Sequence, residues 1–201
     1  MARKSGRTPE ETRRALLDAA ATVIRDRGMA ASLDEIARVA AVSKGGLLYH
    51  FATKDDLVRA LAQDMLEAFR AQVAAAADPA DTAPGRLTRG YVRACLASAH
   101  EEAALREAVA LVARLHSFPE VADLARDDTR RWTEDLRADG LPDHVLALVV
   151  AAADGAGIAP LWGGVVPSVE ARMLERQLLH LTLDRRLWPH LLPEVEESDQ
   201  R

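Results

Sequence analysis

Between residues 43 and 54 the chain runs Ser43-Lys44-Gly45-Gly46-Leu47-Leu48-Tyr49-His50-Phe51-Ala52-Thr53-Lys54. Hydroxyls, ammonium groups, a phenol and an imidazole at this density are hydrogen-bond donors gathered in one short segment. The pair Gly45-Gly46 lets backbone approach another surface closely, at a cost of about 1 kcal/mol per residue in helix propensity. A purely structural helix gains nothing from that cost. No other chemistry is encoded as densely. There is no Gly-rich phosphate loop after a strand, no Gly-x-Ser-x-Gly elbow, and no adjacent nucleophile and base. The histidines His50, His100, His116, His144, His180 and His190 show no ligand spacing with Cys or carboxylate. Neither a metal, a cofactor nor an enzyme is expected.

Charge placement agrees with a polyanionic partner for the first segment. The whole chain carries −5, yet residues 1–60 hold 11 Lys and Arg against 8 Asp and Glu. All three lysines, Lys4, Lys44 and Lys54, fall there. Arg3, Lys4 and Arg7 precede the first helix and read equally well as a mobile DNA-reaching arm or as a solvated tail.

The elements that must position this string are helices, and the fold class is all-α. Thr8-Pro9-Glu10-Glu11 opens the first helix as a capping box with Pro at its start. Leu16, Leu17, Ala20, Val23 and Ile24 mark its inner face until Gly28. Ser32 to Glu35 is a second capping box, for a short helix through about Ala40. Ser43 caps a third running from Lys44 to about Phe51. Thr53 to Asp56 caps a fourth with the apolar face Leu57, Leu61, Met65, Phe69 and Val73. Two short helices separated by about three residues, the second behind a serine cap, are what a helix-turn-helix requires. In this reading Ile36, Ala37, Val42, Leu48 and Phe51 close its core, and Lys44, Gly45, Leu47, Tyr49 and His50 face outward. Further helices are expected at about 86–100, 102–116, 119–138, 142–160 and 168–186, after a turn-rich loop at 78–85.

The organisation predicted is a helix-turn-helix domain at 1–54, a helical effector-binding and dimerisation domain at 55–192, and a disordered acidic tail at 193–201. One cysteine, Cys95, forms no disulfide within the chain, and no apolar stretch follows the basic N-terminus, so a cytoplasmic protein is expected. The stretch Val145 to Val166 is as long as a membrane span, but it contains Asp154, Pro160 and Gly163-Gly164. It is read as a helix buried on most faces rather than as a span.

The string Ile36-Ala37, Val42-Ser43-Lys44-Gly45-Gly46-Leu47-Leu48-Tyr49-His50-Phe51 and Thr53-Lys54 resembles the N-terminal signature of the tetracycline-repressor (TetR) family over about residues 9–61. Two positions depart from it: Ala41 stands where the family commonly has Gly in the turn, and Leu48 where Tyr is most usual. The resemblance implies a homodimeric transcriptional regulator, most simply a repressor, that binds double-stranded operator DNA and is released by a small-molecule effector. It implies that Ser43, Tyr49, His50, Thr53 and Lys54 position phosphates, and that Lys44, Gly45 and Leu47 face base edges, with Lys44 also free to contact phosphate instead. It also implies that the last two long helices dimerise as a four-helix bundle, with Ala151, Ala152, Gly155 and Ala159 permitting close approach and Met173, Gln177, Leu178, Leu181 and Arg185 marking the partner stripe. The alternatives are a helical small-molecule-binding enzyme, or an adaptor for protein partners, carrying a helix-turn-helix.

In the second part, Tyr91, Phe118, Trp132 and Trp162 are open between ordinary core packing and lining a ligand site. Arg114, His116 and Asp154 are candidate polar anchors. Asp154 has three readings: a dimer-interface hydrogen bond, a cap or kink near Pro160, or an anchor for the effector.

Overall fold

The computed structural model describes residues 7–97, 102–159 and 167–192, without the side chains of residues 102–105 and 168. The calls at Arg3, Lys4, His100, Pro160, Trp162, Gly163, Gly164 and the tail 193–201 lie outside these residues. Among the described residues the regular elements are helices and no strand occurs: α1 (Pro9–Arg27), α2 (Leu33–Val39), α3 (Lys44–His50), α4 (Lys54–Ala76), α5 (Arg86–Ala97), α6 (Glu102–Leu115), α7 (Pro119–Ala138), α8 (Asp143–Ile158) and α9 (Ser168–Leu183). Short 3-10 turns occupy Gly28–Ala30 and Trp188–Leu191.

Local chemistry accounts for the first four helix starts. The Thr8 hydroxyl accepts the Glu11 N–H at 3.1 Å and the Glu11 carboxylate accepts the Thr8 N–H at 2.8 Å. The Ser32 hydroxyl accepts from Glu35 N–H at 3.2 Å, while the Glu35 carboxylate lies 3.5 Å from the Arg27 guanidinium. At α4, Thr53 and Asp56 cap each other, the Asp56 N–H donating to the Thr53 hydroxyl at 3.0 Å and the Thr53 N–H to the Asp56 carboxylate at 3.0 Å. Helix α5 starts differently: the carboxylate of the distant Asp139 accepts from Leu87 N–H, Thr88 N–H and the Thr88 hydroxyl at 3.0, 2.7 and 2.8 Å.

The chain divides into two compact units that do not follow chain order, one formed from Met1–Phe69 and Arg106–Arg130, the other from Arg70–Leu105 and Arg131–Arg201. In the first, Leu16, Leu17, Ala20, Val23 and Ile24 of α1 pack with Ile36, Ala37, Leu47, Phe51, Leu57 and Leu61. Leu111 and Leu115 of α6, Phe118, and Val121 of α7 complete this core. Residues placed with the effector part on sequence grounds therefore close the core beneath the helix-turn-helix.

The second unit packs Val92 and Leu96 of α5 against Val145, Val149 and Ala153 of α8 and Leu178 of α9. A smaller group of Leu136, Leu141 and Leu146 adjoins Tyr91, Trp132 and Trp188. The expectation that the 145–166 segment is buried on most faces is corrected over its described part. Helix α8 buries Val145, Leu146, Val149, Ala153 and Ala156 but leaves Leu148 and Ile158 about half exposed. Its apolar residues go all round, and this chain covers one side of them. Leu178 is corrected likewise: it faces the chain's own core, whereas Val169, Met173 and Leu183 are the exposed apolar residues of α9. No helix among the described residues is long and apolar enough to cross a membrane.

Candidate nucleic-acid interface

Helix α3 is held from beneath and capped from its own sequence. The Ser43 hydroxyl accepts the Gly46 N–H at 3.1 Å. Leu47 is fully buried and Phe51, at the C-cap, is 4% exposed. This reverses the expected orientation of the two leucines: Leu47 points into the core and Leu48, 40% exposed, points outward. Both leucines stand at helical spacing from Phe51, Leu47 four residues before it and Leu48 three, so spacing in the sequence does not choose between them. Leu47, being buried, is removed from the residues expected to face base edges.

The outward face consists of Lys44, Gly45, Leu48 and Tyr49, with Tyr49 82% exposed. His50 is half-buried and meets Tyr49 edge to face at 5.2 Å. The two glycines have different reasons to be glycine. A Cβ on Gly45 would meet nothing within 4 Å, so this position is open to an approaching surface. A Cβ on Gly46 would come 2.9 Å from Val42 Cγ1, so Gly46 lets α3 close on its own turn.

Several cations are engaged within the protein. The Lys44 ammonium lies 2.9 Å from the Asp34 carboxylate, both exposed. The Lys54 ammonium donates to the Met29 carbonyl at 2.6 Å and stands 5.4 Å from the centre of the Phe118 ring. A lysine carries three N–H donors, so neither contact exhausts it. The Thr53 hydroxyl is committed to the α4 cap, donating to Asp56 at 2.8 Å. Arg13 covers the Phe51 ring at 5.5 Å. Sequence reasoning missed Asp34, Arg13 and Met29, since no local pattern tells which distant group a surface charge will meet.

The residues considered for a ligand site separate. Phe118 is 2% exposed within the first unit's core. Arg114 lies against Gly28, where a Cβ would meet its Cδ at 3.4 Å. His116 is exposed, its Nδ1 3.1 Å from the Val112 carbonyl oxygen. It borders an open groove of about 530 Å³ lined by Ala122, Ala125, Arg126, Thr129 and Arg130. Tyr91, Trp132 and Asp154 come together in the second unit. The Tyr91 hydroxyl donates to the Asp154 carboxylate at 2.7 Å, and its ring meets Trp132 edge to face at 5.2 Å. Arg70 stacks on Trp132 at 4.2 Å and pairs with Asp135 at 2.8 Å.

Burial raises the Asp154 carboxyl above its ordinary range, against the lowering effect of the Tyr91 hydrogen bond. Burial also raises the Tyr91 phenol, and pushes the neighbouring Cys95 thiol up to about 12. Thiol and phenol therefore stay neutral at physiological pH. This arrangement can offer hydrogen bonds, ring faces and a carboxyl group to a small molecule. No group of three or more His, Cys, Asp or Glu among the described residues is placed to hold a metal ion.

Comparison with known proteins bears on both halves of the chain. The family model described as "Bacterial regulatory proteins, tetR family" matches residues 16–61. That described as "Tetracyclin repressor-like, C-terminal domain" matches residues 85–183. The chain is 29% identical over 198 residues to the HTH-type transcriptional repressor KstR2 of Rhodococcus jostii (strain RHA1), covering 93% of this chain and 94% of that one. A TetR-family member from Streptomyces coelicolor A3 aligns with a TM-score of 0.62 at 29% identity, over 84% of this chain and 98% of its own. The multidrug binding protein EbrR, solved in complex with malachite green, aligns with a TM-score of 0.62 at 26% identity, over 85% of this chain and 97% of its own. The helix-turn-helix, the all-helical architecture and these similarities converge: the chain belongs to the TetR family of transcriptional regulators.

Proposed function

We propose that this protein is a cytoplasmic, homodimeric repressor that acts by binding rather than by turnover, and that a small molecule entering its second unit releases it from operator DNA. The observation that carries the reading is the outward face of α3. Gly45 is open, Leu48 and Tyr49 are exposed, and the helix is anchored from behind by the fully buried Leu47. A helix so mounted fits the major groove, with Gly45 and Leu48 toward base edges and the methyl of thymine as the natural partner of Leu48. Ser43, Lys44, Tyr49, His50, Thr53 and Lys54 are assigned to phosphates.

Each chain has one reading helix, so two-fold pairing of chains matches a pseudo-palindromic site with half-sites about 34–36 Å apart or a multiple of that. Leu148, Ile158, Val169, Met173 and Leu183 supply exposed apolar surface on α8 and α9 for that pairing. Tyr91, Trp132 and Asp154 are assigned to the effector, a role supported by the likeness to EbrR, which holds malachite green. Helix α4, uninterrupted from Lys54 to Ala76, is the route proposed for the signal.

The test is selection of duplexes from fragments of the source genome, followed by anisotropy titration and footprinting. A regulator of this kind should hold its selected duplex about 10³–10⁷ times more tightly than random DNA. It should protect two related half-sites. Equal affinity for selected and random duplexes would sink the reading.

A further inference from the structure

The turn between α2 and α3 contains the one non-glycine residue with positive φ among the described residues, Ala41 at +53°. Its hydrogen bonds form a Schellman motif. The Val42 N–H reaches the Ala37 carbonyl at 2.9 Å, and the Ala41 N–H reaches the Arg38 carbonyl at 3.2 Å. In this motif the left-handed position is usually glycine, because a Cβ there crowds the following carbonyl oxygen. Here the chain carries that crowding at the hinge from which the reading helix departs, two residues before its Ser43 cap.

The motif satisfies the carbonyls of Ala37 and Arg38 and leaves that of Ala40, the α2 C-cap. Arg7, 33 residues away and ahead of α1, supplies the donor: its Nη1 reaches the Ala40 carbonyl at 2.8 Å. This contact crosses from the start of the chain to the peptide that leads into Ala41. A hydrogen bond from a charged donor is stronger than one between neutral groups. It is made only when the Ala40 carbonyl is turned toward Arg7.

We propose that Arg7 is a positioning residue for operator recognition, which clamps the Ala40 carbonyl, stabilises the left-handed Ala41 turn and so sets the angle at which α3 meets DNA. Arg7 acts through Ala41 and touches neither base nor phosphate. The inference rests on the reading of α3 as the DNA-contacting helix. It separates Arg7 from the basic residues before α1 that read equally well from sequence as a DNA-reaching arm or as a solvated tail.

The experiment is a double-mutant cycle in the full chain of Arg7→Ala and Ala41→Gly. The probes are the duplex that the unaltered protein selects from a random-sequence library and poly(dI-dC) as non-specific DNA, each titrated over a salt series. Arg7→Ala should weaken the selected duplex about tenfold, the lower end for a lost hydrogen bond from a charged donor. Affinity for poly(dI-dC) and the salt slope on both DNAs should stay unchanged. Ala41→Gly removes a Cβ penalty worth about 5- to 30-fold in the turn's own equilibrium. Added to Arg7→Ala, it should restore selected-duplex affinity, and alone it should raise the melting temperature. A lost phosphate contact would instead lower the slope by about 0.9 on both DNAs and would not respond to glycine at 41.

A slope drop or a failure of rescue, with selection by the unaltered protein intact, overturns this inference alone. If the unaltered protein selects no duplex, the DNA reading falls and this inference with it. Should Arg7→Ala fold poorly, the cycle is read in the Ala41→Gly background, where removing Arg7 should no longer change the ratio of selected to non-specific affinity. A ratio that still falls tenfold there overturns the proposal.

Discussion

The two units bury different amounts of polar chemistry. Around the helix-turn-helix the core cluster is built from apolar side chains, the charged and hydroxyl groups of α3 and its flanks lie at the surface, and Asp128 of α7 is the buried charged residue of the first unit among the described residues. In the second unit Thr88, Arg89 and Thr182 are buried, and Tyr91 and Asp154 join in a half-buried pair. Under the proposed function, the difference follows from what each unit approaches. A duplex is met from outside, and its phosphates pair with groups that stay hydrated until contact. A small molecule is enclosed, so the groups that orient it must already be desolvated and satisfied by the protein in its absence.

The sharpest way to break this comparison is through Arg89. It is 1% exposed, pairs with Asp81 at 2.6 Å and donates to the carbonyls of Pro84 and Ala83. Asp81→Ala leaves a buried guanidinium without its counter-charge and should cost about 3–5 kcal/mol in urea unfolding. The Asp81 carboxyl is held below its ordinary range, chiefly by the hydrogen bond from Arg89. Its ionisation therefore contributes stability in full above the ordinary carboxylate range, and this is lost as pH falls through the lowered value. The variant's acid-unfolding curve should accordingly be flatter than the parent's. Similar stability in parent and variant would mean that the interior charge of the second unit is not a structural requirement.

Next in size is the leucine pair of α3. Leu47→Ala should cost about 2–5 kcal/mol of stability, as for a buried leucine replaced without collapse. Leu48→Ala should change stability by no more than about 0.5 kcal/mol. On the selected duplex the order reverses: Leu48→Ala should relax discrimination at one base pair by about 1–3 kcal/mol, measured on single-substitution duplexes. Equal melting temperatures for the two variants would contradict the inside and outside assigned here.

Glycines sharpen the same contrast. A Cβ on Gly90 would come 2.7 Å from the Val73 carbonyl oxygen, so Gly90→Ala should destabilise by about 1–3 kcal/mol through overpacking. Gly45 has open space, so Gly45→Ala should stabilise the free protein by up to about 1 kcal/mol while weakening duplex binding. Loss of stability at Gly45 would show that the open face is occupied in the free protein.

The smallest effect is expected at Asp154. Because its carboxyl is raised, stability associated with it is present at low pH and lost as pH rises through the raised value. Asp154→Asn should therefore melt slightly higher than the parent at neutral pH and equal to it in acid. The same variant should leave affinity for the selected duplex unchanged. A lower melting temperature at neutral pH would show that the ionised group has a stabilising partner.

Much of this molecule was legible before folding was considered. Thr8 with Glu11, Ser32, Ser43, and Thr53 with Asp56 announced four helix starts, because a cap closes over three residues and needs no distant partner. The string from Ser43 to Lys54 likewise declared a reading helix and its flanks. The start of α5 at Arg86 was legible from the turn residues before it, but its cap was not, since that comes from Asp139, more than fifty residues away. Nor was the arrangement around Phe118 and Arg114, whose neighbours at Lys54 and Gly28 are set by how α6 and α7 pack.

By itself the sequence determined the helical class, the order of elements and the presence of a helix-turn-helix, all carried by hydrogen bonds and periodicities within a few residues. Tertiary structure alone decided which of Leu47 and Leu48 faces the core. Successive residues differ by about 100° around a helix, and two adjacent leucines satisfy an apolar stripe equally until neighbours select one rotation. It alone decided that Arg7 meets Ala40, that Lys54 meets Met29 and that Tyr91 meets Asp154. A long polar side chain has many sterically equal endings, and only the packing of elements distant in sequence places one acceptor within its reach.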